Sequence, residues 1–144
     1  MAAATGNRAK LLKPSDKVSY PVAASTNIFK DTMVSTNAAG DAVPTGISAA
    51  NLFQGFAESR HDNSAGVAGA MRCPVLKEGT CTVIYGPGSP TKALNGKKAY
   101  ALDDQTVTDT VTTNAPYVGE FVYDDDPDVG PRGLIRIRIN KAVN

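Results

Sequence analysis

The sequence predicts a mainly β fold, a compact small barrel or sandwich of short antiparallel strands with little helix and an extended N-terminal arm. Three observations predict it. Turn-forming clusters rich in Gly, Pro, Asn and Asp recur about every 8 to 12 residues, the rhythm of a sandwich or small barrel. Where apolar residues are patterned they alternate with period two, as Ile135, Ile137 and Ile139 do in "GLIRIRIN". No segment sustains a helical apolar period over about ten residues, the least a packed helix needs.

The elements follow in chain order. Residues 1–17 read as a flexible arm, small and polar, carrying Arg8, Lys10, Lys13 and Lys17 with Leu11 and Leu12 as its only large apolar anchors. Residues 18–144 read as a single β domain. "VSYPV" alternates Val18, Tyr20 and Val22, and its proline suits an edge strand. "IFKDTMVS" is extended, and "TNAAGDAVPTG" is a turn followed by a short run. "NLFQGFAES" is expected to be a strand despite Gly55 in its middle. "RHDNSAG" is loop by composition. "AMRCPVLKEGTCTVIYG" reads as a hairpin whose β-branched arms flank "KEG". "PGSPTKALNG" is a loop, and "KKAYALDDQTVTDTVTT" holds a strand to about Leu102, a turn at Asp103-Asp104 and a Thr/Val run. "YVGEFVYD", the loop "DDDPDVGPRG" and the strand "LIRIRIN" complete the chain. In an antiparallel sheet one face of that last strand packs inward. The isoleucines take it, and Arg136 and Arg138 take the outer one.

Composition limits the function. Lys and Arg total 15 against 14 Asp and Glu, a formal net charge of +1. A dedicated nucleic-acid binder usually carries a clear basic excess, because neutralising phosphates supplies most of its affinity, so no nucleic-acid partner is expected. No apolar run is long enough to span a bilayer, and the N-terminus has no secretory apolar region. No membrane partner is expected, and synthesis in a cytoplasm is. The two cysteines then default to reduced thiols. If the turn of the predicted hairpin centres on Lys77, Cys73 and Cys81 face each other. If it is Glu78-Gly79, Cys81 faces Leu76 and no bridge forms. Buried free thiols are the favoured reading.

Catalytic signals are thin. His61 is the one histidine and lies in a polar loop, where Ser59, Asp62 and Ser64 are neighbours in sequence only. The phrase "GKK" lacks a preceding glycine-rich loop, and no nucleophile-elbow, P-loop or zinc-protease motif occurs. Asp124, Asp125, Asp126 and Asp128 carry oxygen ligands suited to calcium. Their spacing is not that of an EF-hand, so a solvated acidic turn is the favoured reading, with Arg132, Arg136 or Arg138 as pairing partners. No catalytic residue, metal or cofactor is expected.

"NLFQGFAESRHDNSAG", "CPVLKEGTCTVI", "GKKAYALDDQTVTDTVTTNAPYVGEFVYDDD" and "GLIRIRI", in that order, resemble the capsid cement, or head decoration, proteins of tailed bacteriophages. The phrase that carries the resemblance runs from Gly96 to Thr108, followed by Pro116, Val118 and Gly119. The resemblance implies a structural protein on the outer surface of the virion, often a homotrimer, that clamps the major capsid protein of the expanded head. It further implies an arm that lies along the shell or adds a strand to it. On that reading Arg8, Lys10, Leu11, Leu12, Lys13 and Lys17, with Arg136 and Arg138, are the candidate capsid or subunit contacts. The alternative is a β-sandwich module that recognises a carbohydrate or a cell surface. The absence of Trp counts against stacking on sugars.

Overall fold

The computed structural model describes residues 17–123 and 134–140. About half of these residues lie in strands, and a 3-10 turn at Lys92–Leu94 falls inside the segment expected to be loop. The strands divide between a five-stranded sheet, a closed five-stranded barrel and a two-stranded ribbon. The choice between barrel and sandwich is therefore resolved as a barrel with a second sheet packed on it. No helix among the described residues is long and apolar enough to cross a membrane.

The open sheet runs β1 (Lys17–Pro21), β7 (Arg72–Leu76), β5 (Leu52–Ala57), β3 (Met33–Thr36), β4 (Ala42–Pro44), all neighbours antiparallel. The predicted edge strand is an edge strand, and it begins at Lys17, one residue inside the stretch assigned to the arm. Pro74 sits inside β7, where a missing N–H would normally break a ladder. It is tolerated because β5 pairs with β7 only through Phe56 and Ala57, and beyond them the Pro74 carbonyl accepts Glu58 N–H at 3.0 Å. The sheet curls until Val22, just past β1, bridges Ala42 of β4 in parallel, and Ala23 N–H donates to the Ala42 carbonyl at 3.0 Å.

The ribbon pairs β2 (Thr26–Ile28) with β6 (His61–Asn63). It lies in "RHDNSAG", so part of that expected loop is a strand. Its composition is that of a loop because its strand is only three residues long and buries only Asn63. Ile28 and Asn63 are the buried positions. The Asn63 amide donates to the carbonyls of Ala23 at 3.0 Å and Val67 at 2.9 Å, tying the ribbon to the exit of β1.

The barrel closes in the order β10 (Thr106–Thr108), β8 (Glu78–Tyr85), β12 (Leu134–Asn140), β11 (Tyr117–Val122), β9 (Lys98–Ala101), with β9 pairing back to β10. All its pairs are antiparallel except β10 with β8. The hairpin expected across residues 70–86 does not exist. β7 pairs with β1 and β5, whereas β8 pairs with β12 over seven residues and with β10. Only Lys77 separates β7 from β8, and the chain crosses there from the open sheet to the barrel. The alternating isoleucines of β12 give β8 a longer apolar partner than β7 offers.

Two cores result, one on each face of the open sheet. Met33, Phe53 and Phe56 point from it into the barrel-side core with Val83, Leu94, Ala99, Ala101, Val107, Val118, Phe121, Ile137 and Ile139. Val34, Ala57, Cys73 and Val75 fill the inside of the curl with Val22, Ile28 and Ala42. β3 is buried at all four positions because it is covered on both faces. Small residues such as Ala99 and Ala101 suit the narrow interior of a five-stranded barrel.

Candidate interaction surface

The outer wall of the barrel is set by register. Ile137 and Ile139 are buried inside, so positions 136 and 138, which alternate with them, fall on the outer face. Across that face one row runs Lys98, Glu120, Arg138, Thr80 and the next Val122, Arg136, Thr82. Lys98, Thr80 and Thr82 are exposed, and Ile84 beyond them is 38% exposed. At the other margin Tyr100 and Tyr117 pair across β9 and β11 with ring centroids 6.1 Å apart, and the Lys98 ammonium lies 5.7 Å from the centre of the Tyr117 ring.

Of the expected site residues, those within the described residues lie on two different sheets. Lys17 lies on β1 of the open sheet, where its ammonium pairs with Glu58 at 2.8 Å, and Arg136 and Arg138 lie on the barrel. Arg8, Lys10, Leu11, Leu12 and Lys13 lie outside the described residues, as do the acidic cluster Asp124–Asp128 and Arg132. On β1, the Ser19 carbonyl accepts a hydrogen bond from the Arg72 guanidinium at 2.9 Å, and Pro21 has no N–H to offer. Both features blunt that edge against a further strand.

The catalytic-looking letters resolve into loop chemistry. Asp62 accepts hydrogen bonds from both the hydroxyl and the N–H of Ser64, an Asx turn, and lies 3.3 Å from Arg60. The Ser64 bonds hold its carboxyl below the usual range, with Arg60 as a lesser cause. His61 Nδ1 sits 3.1 Å from the Ser59 carbonyl and so carries the proton. None of these groups is arranged as nucleophile and base. Among the described residues, no group of three or more His, Cys, Asp or Glu is placed to hold a metal ion. Cys73 and Cys81 are free thiols, and burial pushes each up to about 11.

Sequence reasoning missed a polar cluster at one end of the curl. Lys77, buried, donates to the Gln54 carbonyl at 3.1 Å and to Gln54 Oε1 at 2.6 Å, and its ammonium lies 4.8 Å from the centre of the Tyr20 ring. The Tyr20 hydroxyl donates to the same Oε1 at 3.0 Å, and Gln54 Nε2 donates to Thr36 Oγ1 at 2.9 Å. Burial raises the Tyr20 pKa. These residues come from four strands or strand ends that only the sheet order brings together, so no sequence spacing announces them.

Comparison of the chain with family models, with curated proteins and with solved structures finds no match.

Proposed function

We propose that this chain is a capsid decoration protein of a tailed bacteriophage. It binds the outside of an expanded head, as a homotrimer, and stabilises contacts between major capsid subunits. The observation that carries this reading is spatial. The segments of the resemblance, Gly96 to Thr108, Pro116 to Gly119 and "GLIRIRI", are far from uniform in sequence, yet they supply β9, β10, β11 and β12 of one barrel. A closed barrel is a rigid support for a clamp, and β1, the strand that follows the basic segment in sequence, is an edge strand of the adjoining sheet. A trimer engages several shell sites at once and gains from effective concentration, so each contact can be weak. A cyclic heterologous interface closes such an assembly after three subunits.

The test is cosedimentation with expanded and unexpanded heads of the source virus, each stripped of this protein. Saturable binding to expanded heads alone, weakened by deletion of residues 1–16, is the expected result. Absence of binding to both forms would sink the reading.

A second reading has one observation in its favour. The half-buried Tyr100–Tyr117 pair on the barrel's outer surface is a stacking platform of the kind a carbohydrate-binding module uses. Specific, Tyr117-dependent binding on a glycan array would support it.

A further inference from the structure

We propose that residues 11–16 of the same chain dock across the open end of the curl, with Asp16 set against Lys77 and Leu12 on Leu52. Docking of this kind belongs to the free chain and does not rest on the decoration reading.

The open end is a gap in the sheet. β5 pairs with β7 only through Phe56 and Ala57, and Leu52 and Phe53 ladder with β3 alone. The gap arises because β7 stops at Leu76 and the chain then leaves for the barrel. Buried Lys77 forms part of its floor, with its ammonium on the Gln54 carbonyl and Oε1 and over the Tyr20 ring. Thr36 extends the floor by accepting Gln54 Nε2–H. The rim is apolar. Val18 stands opposite Val75 of the curl's core, and Leu52 stands opposite Thr36. Residues directly opposite share a face, so both rim residues lie on the inner face of the curl. Yet Leu52 is 66% exposed and Val18 37%. Covering wet apolar side chains on a concave face is favourable.

Register names the occupant. β1 and β7 pair antiparallel with Lys17 opposite Leu76, so the next step of that ladder sets Asp16 opposite Lys77. Asp16 is the one acid in residues 1–16, and a buried ammonium gains from a carboxylate beside it. An extended segment continuing β1 carries Asp16, Pro14 and Leu12 on the side of Val18 and Tyr20, which is the side of the mouth. Leu76 also pairs with Phe56, so β1 and β5 run parallel with one strand between them. The register shift in β5 then sets Leu52 level with residues 13–14. The lateral separation is two strand spacings, roughly 10 Å. β7 does not extend past Leu76 to stand between them, so Leu12 reaches Leu52 after a sideways step of one strand spacing, ~5 Å. Pro14 has no N–H to leave unpaired in such a step. One ion pair and one apolar contact suffice, because the short tether to β1 keeps the segment at high effective concentration.

The test is methyl NMR of the full chain. Wild type is expected to show nuclear Overhauser contacts between the methyls of Leu12 and Leu52. Asp16→Lys is expected to lose them and to move the Leu52 methyl resonances to their positions in a chain lacking residues 1–16. The methyls of Val118 and Ile137 in the barrel-side core are expected to stay in place. Absence of any contact to Leu52 in wild type overturns the inference, and that result needs no variant to fold. Contact undiminished in Asp16→Lys overturns the Asp16 anchor. In a mixture of labelled and unlabelled chains, contact between the two kinds assigns the mouth to the segment of a second copy and overturns docking within one chain.

Discussion

At the scale of single residues, two positions carry more than their side chains advertise. Gly55 interrupts an otherwise apolar strand and weakens any strand prediction there. Its φ of +152° lies where side chains are rarely tolerated, and a Cβ at this position would run into the Leu76 carbonyl oxygen of the neighbouring strand. Backbone cannot swing aside as a side chain can. Gly55→Ala is therefore expected to lose about 2–4 kcal/mol, read as a lowered midpoint in urea unfolding with unchanged slope. Gln54, next to it, satisfies the buried Lys77 ammonium twice and the Tyr20 hydroxyl once. The bond to the carbonyl survives substitution, but the side-chain bonds do not. Gln54→Leu is expected to lose about 1–3 kcal/mol, read by urea unfolding, because it removes the side-chain acceptor of the Tyr20 hydroxyl and the Lys77 ammonium and the donor to Thr36.

At the scale of elements, strand existence was legible and strand partnership was not. Period-two alternation and turn residues located β1, β3, β5, β9, β11 and β12 because those signals are local. The outer position of Arg136 and Arg138 followed from the same alternation. The pairing of β7 with β8 was misread because a crossover and a hairpin share one local signature, two apolar runs around a glycine. Which of them forms depends on whether β12, some fifty residues on, offers the longer ladder. The polar cluster around Lys77 and the tyrosine pair were invisible for the same reason. This failure has a chemical consequence. Cys73 belongs to the curl of the open sheet and Cys81 packs against the barrel core, so the two thiols sit on separate sheets and remain free. Burial raises both from 9.0 to about 11, with Asp31 adding to the effect at Cys81. The folded state thus holds these protons more tightly than the unfolded chain. Their contribution to stability is complete below about pH 9 and is lost as pH rises toward 11. Alkylation by iodoacetamide at pH 8 is expected to be slow for both thiols in the native protein and fast in denaturant, with no mass change on reduction.

At the scale of the whole molecule, β3 and β5 tie the two cores of the described residues together. Each presents one face to the barrel and the other to the curl, so neither core can be built without the sheet they share. Polar ties reinforce the join. Met33 N–H donates to the Asp104 carbonyl in the β9–β10 turn at 2.7 Å, and Ser48 N–H donates to the Asn114 carbonyl at 3.0 Å. Phe56 is the test of this unity, because it is fully buried, meets Phe53 edge-on at 6.4 Å, and projects from the open sheet into the barrel-side core. Phe56→Ala is expected to lose about 3–5 kcal/mol, from lost transfer energy plus the cavity left behind. The two thiols report on the two cores separately, Cys73 on the curl and Cys81 on the barrel. In a urea series with pulsed alkylation, both are expected to become reactive at one urea concentration in the wild type. In Phe56→Ala both midpoints are expected to fall together, by the same amount. A shift confined to Cys81 would mean that the barrel melts alone and that the shared sheet does not couple the cores.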